Sequence, residues 1–379
     1  MKITLHGGFG EKGRTCIGVE AGVRLLLDVG VNTSATGREA YPAIAPEELA
    51  LVDAIVVTHG HEDHVAALGW CVENGFRGPA WMTAETRGEM HATVSAYGGP
   101  AQLRLLDAVE VKEFRPGEGF RIGPATIASG RSGHAVGGVW LAVEHGGRTL
   151  VHCGDVVPES AVLAFDPLPP CDAILLDAAY GDDDVPAAAR AQAVVEWVAR
   201  SGPCVLPTPV SGRSLELLAI LPMPLAVADS MVGPLREQLA QASWIRPALL
   251  PTLSARLAAA QPWREGDPLP DRPLLAHDGM GLAGPSRRAV EEAHRVGRPI
   301  LFTGHLPTGS PGERLVAEGA ADWLRLPTHP TLPENLAMVG ATGARLALGH
   351  SCDDAVQARL VPHLPGVFRP ARTGERFAL

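Results

Sequence analysis

The segment Thr58-His59-Gly60-His61-Glu62-Asp63-His64 packs three histidines and two acidic residues into one short stretch. It follows the apolar run Ile55-Val56-Val57 and precedes a helix expected from Val65 to Asn74. At a strand end, residues two apart point the same way, so His59 and His61 share a face. The following turn sends Asp63 and His64 toward a neighbouring point. Imidazole and carboxylate together favour zinc, with manganese or iron as alternatives, and the pattern suits a two-metal centre. The plainer reading, surface histidines in a loop, does not account for this density of ligand types.

A dinuclear site needs further ligands, and candidates occur in order along the chain. His134 sits in the Gly-rich turn Gly133-His134-Ala135. Asp155 closes His152-Cys153-Gly154-Asp155 after the strand pattern Arg148-Thr149-Leu150-Val151, and a carboxylate there can bridge two cations. His350 ends the strand pattern Arg345 to Gly349. His145 and His152 lack such a context and read as structural or surface residues.

The elements that must position these residues alternate between strand and helix. Val23 to Val29 and Asp53 to Thr58 read as buried strands, Glu85 to Tyr97 as a weak helix, and Val109 to Val151 as a run of strands separated by Gly and Pro turns. Residues 172–181 read as another buried strand running into a turn. The texture changes after Asp182-Asp183-Asp184. There follow a helix (Val185 to Arg200), a strand (Cys204 to Pro207), a helix (Ser214 to Leu221) and a strand (Leu225 to Ala228). A Pro- and Ala-rich stretch runs to about Pro273, and then come a strand (Leu274 to Ala276), a helix (Arg287 to Arg295) and a strand (Ile300 to Thr303). This middle segment is an α/β unit in its own right. A last strand, Ala344 to Leu348, leads to His350.

Across 379 residues, 46% hydrophobic and 20% charged composition excludes disorder and coiled coil. No apolar run reaches the roughly 18 residues of a membrane span. The first residues go straight into a strand pattern without a signal-peptide core, so a cytoplasmic protein with no membrane association is expected. The six cysteines are scattered without a C-x-x-C pair, which points to reduced thiols and away from a Cys-based zinc site. The net charge of −10 is wrong for a protein that coats nucleic acid, so any polyanionic substrate must be drawn by a local groove or by bound metal. Residues 183–318 carry 13 Arg against 14 acidic residues, so the acid excess lies mainly outside them.

The order His59-x-His61-x-Asp63-His64, His134, Asp155 and a late His350 resembles the metallo-β-lactamase superfamily. Leu175-Leu176-Asp177-Ala178-Ala179-Tyr180-Gly181 resembles the motif that opens the β-CASP insertion of RNA- and DNA-processing nucleases. Further stretches are similar to that family's insertion motifs: Pro209 to Leu218, Asp229-Ser230-Met231, Asp278 to Gly284, and Thr303-Gly304-His305 onward to Gly312. Pro327-Thr328-His329-Pro330 occupies the place of its "Ser-Gly/Ala-His-Ala". The opening Gly7 to Gly13 is similar to that of ribonuclease J, and the overall pattern resembles RNA-processing exonucleases of the ribonuclease J and cleavage-and-polyadenylation-factor kind. Ala179, Pro330 and Ser351-Cys352 depart from the usual motif residues.

The resemblance implies an α/β fold: a metallo-β-lactamase αββα sandwich (1–182 and 319–379) with an inserted α/β β-CASP domain (183–318). It implies two Zn2+, with Mn2+ as the alternative. One would be held by His59, His61, His134 and Asp155, the other by Asp63, His64, Asp155 and His350. The implied activity is phosphodiester hydrolysis of single-stranded RNA, or of DNA, by a hydroxide held between the metals. The implied catalytic residues are Asp63, Asp177 and His329, with His329 as general acid oriented by Asp177. Ser211, Arg213 and Thr308 are expected to contact substrate phosphate, Arg213 having an internal salt bridge as its alternative role. Homo-oligomerisation stays open. Two other readings compete: a dinuclear hydrolase of a small phosphodiester or ester, favoured by an aromatic content of only 5%, and a non-catalytic RNA-processing scaffold, disfavoured by the complete ligand set.

Overall fold

The computed structural model describes residues 1–306 and 309–379. Two sheets stack face to face. The first has seven strands, ordered Arg376–Ala378, Lys2–Gly7, Cys16–Glu20, Arg24–Leu27, Ala54–Val56, Ala80–Met82 and Val111–Glu113. The second has six, ordered Leu346–His350, Ala173–Asp177, Arg148–His152, Val139–His145, Ala125–Arg131 and Phe120–Ile122.

The layering follows from the two-residue period of a strand. Leu25, Leu27 and Val56 point inward and meet Leu141, Val143, Leu150 and Leu175 of the other sheet. Leu26 and Ile55 point the opposite way, onto Val65, Leu68, Met90 and Val94 of the covering helices. On the far side, Trp140, Ala142, Val151, Ile174 and Leu176 pack against Leu332, Met338, Val339 and Leu360. Three apolar layers between four layers of structure make the expected αββα sandwich. These central strands are apolar on both faces because both faces are covered.

Parallel pairing gathers the chemistry at one rim. Arg24–Leu27 pairs with Ala54–Val56, and Ala173–Asp177 lies between Arg148–His152 and Leu346–His350, all in parallel. The chain therefore leaves each of these strands on the same side, and Asp177 stands opposite His350 in register.

The middle segment builds a separate sheet of four parallel strands, ordered Val205–Pro207, Leu274–Ala276, Ala226–Ala228 and Gln261–Trp263. It forms a cap whose apolar interior is continuous with the core between the two large sheets. Leu301–Phe302 pairs with Asp322–Trp323, so the cap's pairing extends past residue 318.

Two elements differ from expectation. The Pro- and Ala-rich stretch contains helices Asp229–Ala240 and Leu250–Ala259 as well as the strand Gln261–Trp263. Pro251 lies in the first turn of its helix, where a missing N–H costs nothing, and Leu253 and Leu257 anchor that helix in the core. The helix expected over 65–74 is instead two short ones, Glu62–Val65 and Leu68–Glu73. The carbonyls of Glu62 and His64 accept from Val31 and Val29, and Ala67 donates to Val29, so the chain is tied to a strand end where a longer helix would lift away. Among the described residues no helix is long and apolar enough to cross a membrane.

Candidate metal centre

The rim is organised around Asp28, a fully buried carboxylate directly after Arg24–Leu27, with φ of 59°. Its Oδ1 accepts from the Thr58 N–H at 2.7 Å, and its Oδ2 lies 2.8 Å from both His64 Nδ1 and His152 Nε2. The Thr58 hydroxyl adds contacts of 3.0 and 2.9 Å. Burial pushes this carboxyl up, but the imidazoles of His64 and His152 outweigh it and hold it well below the ordinary range. Asp28 therefore accepts the Nδ1 proton of His64 and leaves Nε2 turned inward.

The other imidazoles are oriented in the same manner. His59 Nδ1 lies 3.1 Å from the Thr58 hydroxyl, His134 Nδ1 2.6 Å from the Thr328 carbonyl and His350 Nδ1 2.9 Å from the Ser351 hydroxyl. Gly30 makes room for the 59–64 loop, since a Cβ there would fall 1.7 Å from the Asp63 carbonyl oxygen.

Among the described residues, four buried polar atoms end in this space with no hydrogen-bond partner: His59 Nε2, His64 Nε2, Asp155 Oδ1 and His350 Nε2. Unpartnered buried polar groups are costly, and four of them converging is what a cation would satisfy. The donor set fits divalent metal. Ligand atoms of His59, His61, His134 and Asp155 all lie within 4.8 Å of one another, and so do those of Asp63, His64 and Asp155. His59 Nε2 and His134 Nε2 stand 3.7 and 3.6 Å from Asp155 Oδ2, and His64 Nε2 stands 3.1 Å from Asp155 Oδ1. Asp155 thus has one oxygen toward each group. His350 is fully buried nearby, its ring 6.3 Å from that of His64, but it is not within the shared 4.8 Å of either group.

Burial above all, with neighbouring imidazoles, holds His59, His134 and His350 well below their usual pKa, in the neutral form that ligates metal. Burial also pulls His64 down, but Asp155, Asp63 and Asp28 outweigh it and raise it. Burial together with Asp155 and Glu62 pushes Asp63 up to about 6.

A third group adjoins these two. His329 Nδ1 lies 2.9 Å from Asp177 Oδ2 and 3.7 Å from Asp155 Oδ2. Burial lowers its pKa, but Asp177 and Asp155 overcome that and raise it to about 10. Asp177 is itself held by the backbone N–H groups of Val156 and Ala179.

The cap reaches this centre through Gly212 and Arg213. Gly212 has φ of 69°, and a Cβ there would lie 2.8 Å from the His134 carbonyl oxygen. Arg213 Nη2 donates to Thr328 Oγ1 at 3.1 Å, and Thr328 also engages the Tyr180 hydroxyl, so one threonine links Arg213, Tyr180 and His134. Arg213 makes no ion pair among the described residues; its side-chain partner is Thr328. Ser211 lies one residue before Gly212, and Thr308 lies outside the described residues.

Residues 23–206, which hold Asp28, the 59–64 loop, His134, Asp155 and Asp177, match the family described as a beta-lactamase superfamily domain. Over 242 residues the chain is 30% identical to "Ribonuclease TTHA0252" of Thermus thermophilus, covering 58% of this chain and 54% of that protein. Over 241 residues it is 29% identical to "Endoribonuclease ysh1" of Schizosaccharomyces pombe, covering 57% of this chain and 31% of that protein. The chain spans about half the length, or less, of these curated relatives. A crystal structure of a protein of unknown function from Enterococcus faecalis shares the fold across 100% of this chain and 99% of its own, with a TM-score of 0.61 at 13% identity.

The fold brings together all the expected ligands except His350, which stands slightly apart. Sequence reasoning missed Asp28 and Thr58 and set His152 aside, although His152 is fully buried and donates to Asp28. The available signal was an aspartate ending the Leu25-Leu26-Leu27 strand beside the His59 strand.

Proposed function

We propose that this chain is a metal-dependent phosphodiesterase acting on single-stranded RNA. The observation that carries the reading is the convergence of unpartnered imidazole nitrogens on Asp155, with the His329–Asp177 pair beside them. The relatives named ribonuclease and endoribonuclease support the choice of RNA. His59, His61, His134 and Asp155 would hold one cation; Asp63, His64 and Asp155, with His350 closing in, would hold the other. Zinc suits these nitrogen and oxygen donors, and manganese is the alternative. Bound there, two such ions supply Lewis acidity, acidifying water and drawing charge from a phosphoryl group.

The chain's own residues divide the remaining work. Asp28 and Thr58 keep the ligand rings turned inward, so little reorganisation accompanies metal binding. Asp177 accepts from His329 Nδ1, which leaves the Nε2–H free to protonate the departing ribose oxygen. Arg213, without a carboxylate partner, and Ser211 beside it would contact phosphate oxygens from the cap. Residues 183–318 would act as a β-CASP cap closing over the strand.

The test is a gel of 5′-labelled single-stranded RNA incubated with metal-loaded protein and with the His59→Ala variant. Cleavage by the first and not by the second is expected. Intact RNA in both lanes, with two metals bound to the unmutated protein, would overturn the choice of substrate.

A further inference from the structure

Among the four ligand rings with an outer partner, His134 alone leans on a main-chain carbonyl, and that carbonyl comes from Thr328, 194 residues further along the chain. His59 and His350 rest on the hydroxyls of adjacent residues, and His64 rests on the buried Asp28. The segment around Thr328 has no ladder to hold it. Residues 327–331 form neither helix nor strand, and Pro327 and Pro330 bring no N–H. Whatever fixes the Thr328 peptide therefore fixes His134.

That task falls to Tyr180. Its hydroxyl accepts from the Thr328 N–H at 3.0 Å, and the two hydroxyl oxygens lie 3.2 Å apart. Arg213 Nη2 takes the Thr328 side chain and leaves the peptide group to Tyr180. The phenol is held in turn. The Arg325 guanidinium carbon stands 4.3 Å from its ring centroid, and the His329 ring meets it edge-on at 5.1 Å. Arg325 is anchored on Asp183, whose own N–H donates to the Tyr180 carbonyl at 3.1 Å. The ring of Tyr180 thus packs beside His329, while its hydroxyl serves the Thr328 peptide. The two roles are separable, because phenylalanine keeps the first and loses the second.

We propose that Tyr180 is a positioning residue for the metal centre: through the Thr328 peptide, its hydroxyl keeps His134 Nε2 turned toward Asp155 and sets the affinity of the cation group made by His59, His61, His134 and Asp155. The group of Asp63, His64 and Asp155 contains no ring held in this way and does not depend on it. This rests on the reading of the centre as a pair of cation sites. Without the hydroxyl, the Thr328 N–H loses its acceptor and the carbonyl of the same residue drifts. His134 must then be reoriented each time a cation binds, at a cost of about 10–100-fold in affinity.

The metal-free full chain is titrated with Zn2+ in competition with a chromogenic chelator, as the unmutated protein, Tyr180→Phe and Thr328→Val. Thermal unfolding of each metal-free protein is followed alongside. The unmutated protein should take up two ions. In Tyr180→Phe one binding step should weaken about 10–100-fold and the other stay within about threefold. Its metal-free unfolding midpoint should be unchanged, which a merely structural role would lower. Thr328→Val removes the side-chain hydroxyl but keeps the peptide N–H and carbonyl, so both of its steps should match the unmutated protein. With Co2+ in place of Zn2+, Tyr180→Phe should alter the visible bands of one bound ion only. Both steps unchanged in Tyr180→Phe, both weakened alike, or a lowered unfolding midpoint overturns the role of Tyr180 and leaves the cation sites standing. Weakening in Thr328→Val equal to that in Tyr180→Phe overturns the route through the peptide. Uptake of fewer than two ions by the unmutated protein overturns the two-site reading and this inference with it.

Discussion

The floor and the cap-side wall of the cleft are built on opposite principles. On the floor, the outer nitrogens of His59, His64, His134 and His350 are held by Thr58, Asp28, Thr328 and Ser351, and among the described residues the inner nitrogens of His59, His64 and His350 have no hydrogen-bond partner. On the wall, Arg213 donates to Thr328 and makes no ion pair among the described residues. An acceptor-rich, well-oriented pocket favours cations, whereas an unpaired guanidinium favours anions, so the same desolvation physics gives neighbouring groups opposite preferences.

Removing a ligand from the floor is the harshest way to break this comparison. His59→Ala or Asp155→Ala should abolish both metal binding and turnover, read by metal content and by RNA cleavage; retention of two metals in Asp155→Ala would contradict its place between the two groups. A chelator should do the same to the unmutated protein, with activity restored by added Zn2+ or Mn2+. His329→Ala should keep the metal yet slow cleavage by roughly 10²–10⁴, the usual worth of general acid–base catalysis. An unchanged single-turnover rate would remove His329 from its role.

Asp28→Asn tests the orienting layer beneath the ligands. It leaves every ligand in place, so metal affinity should fall by about 10–100-fold rather than vanish, as measured by competition with a chromogenic chelator. On the wall, Arg213→Ala should leave metal content intact and raise KM for RNA by about tenfold, the scale of one charge-assisted contact. The smallest effect is expected away from both sites, at Asp183. Burial raises this carboxyl, but the pairing with Arg190 and Arg325 outweighs it and lowers its pKa. Because the folded value lies below the unfolded one, the stabilisation is present above the unfolded value of about 3.9 and fades as pH falls through the folded value. Asp183→Asn should therefore unfold more readily at neutral pH and show a flatter acid limb, read from acid-unfolding curves.

Much of the site was legible in the order of residues. The 59–64 loop, His134 and Asp155 each follow an apolar strand pattern, and parallel strands packed in a sandwich end on a common rim, so spacing alone implied a shared location. The buried strands were legible for the same reason, being continuously apolar and punctuated by Gly. The helices Asp229–Ala240 and Leu250–Ala259 were not, because Pro and Ala dilute the amphipathic period and packing of Leu235, Leu253 and Leu257 decides the matter.

The amino-acid order by itself determined the ligand types, their grouping and the change of texture that marks the cap, since each is a property of local composition and period. Only the tertiary structure decided what depends on neighbours far along the chain. It made Asp28 and His152 one hydrogen-bonded pair 124 residues apart, placed Thr328 between His134 and Arg213, and set His350 slightly apart from the other ligands. Charge, burial and orientation at those positions are set by atoms that meet only when the two sheets and the cap are packed.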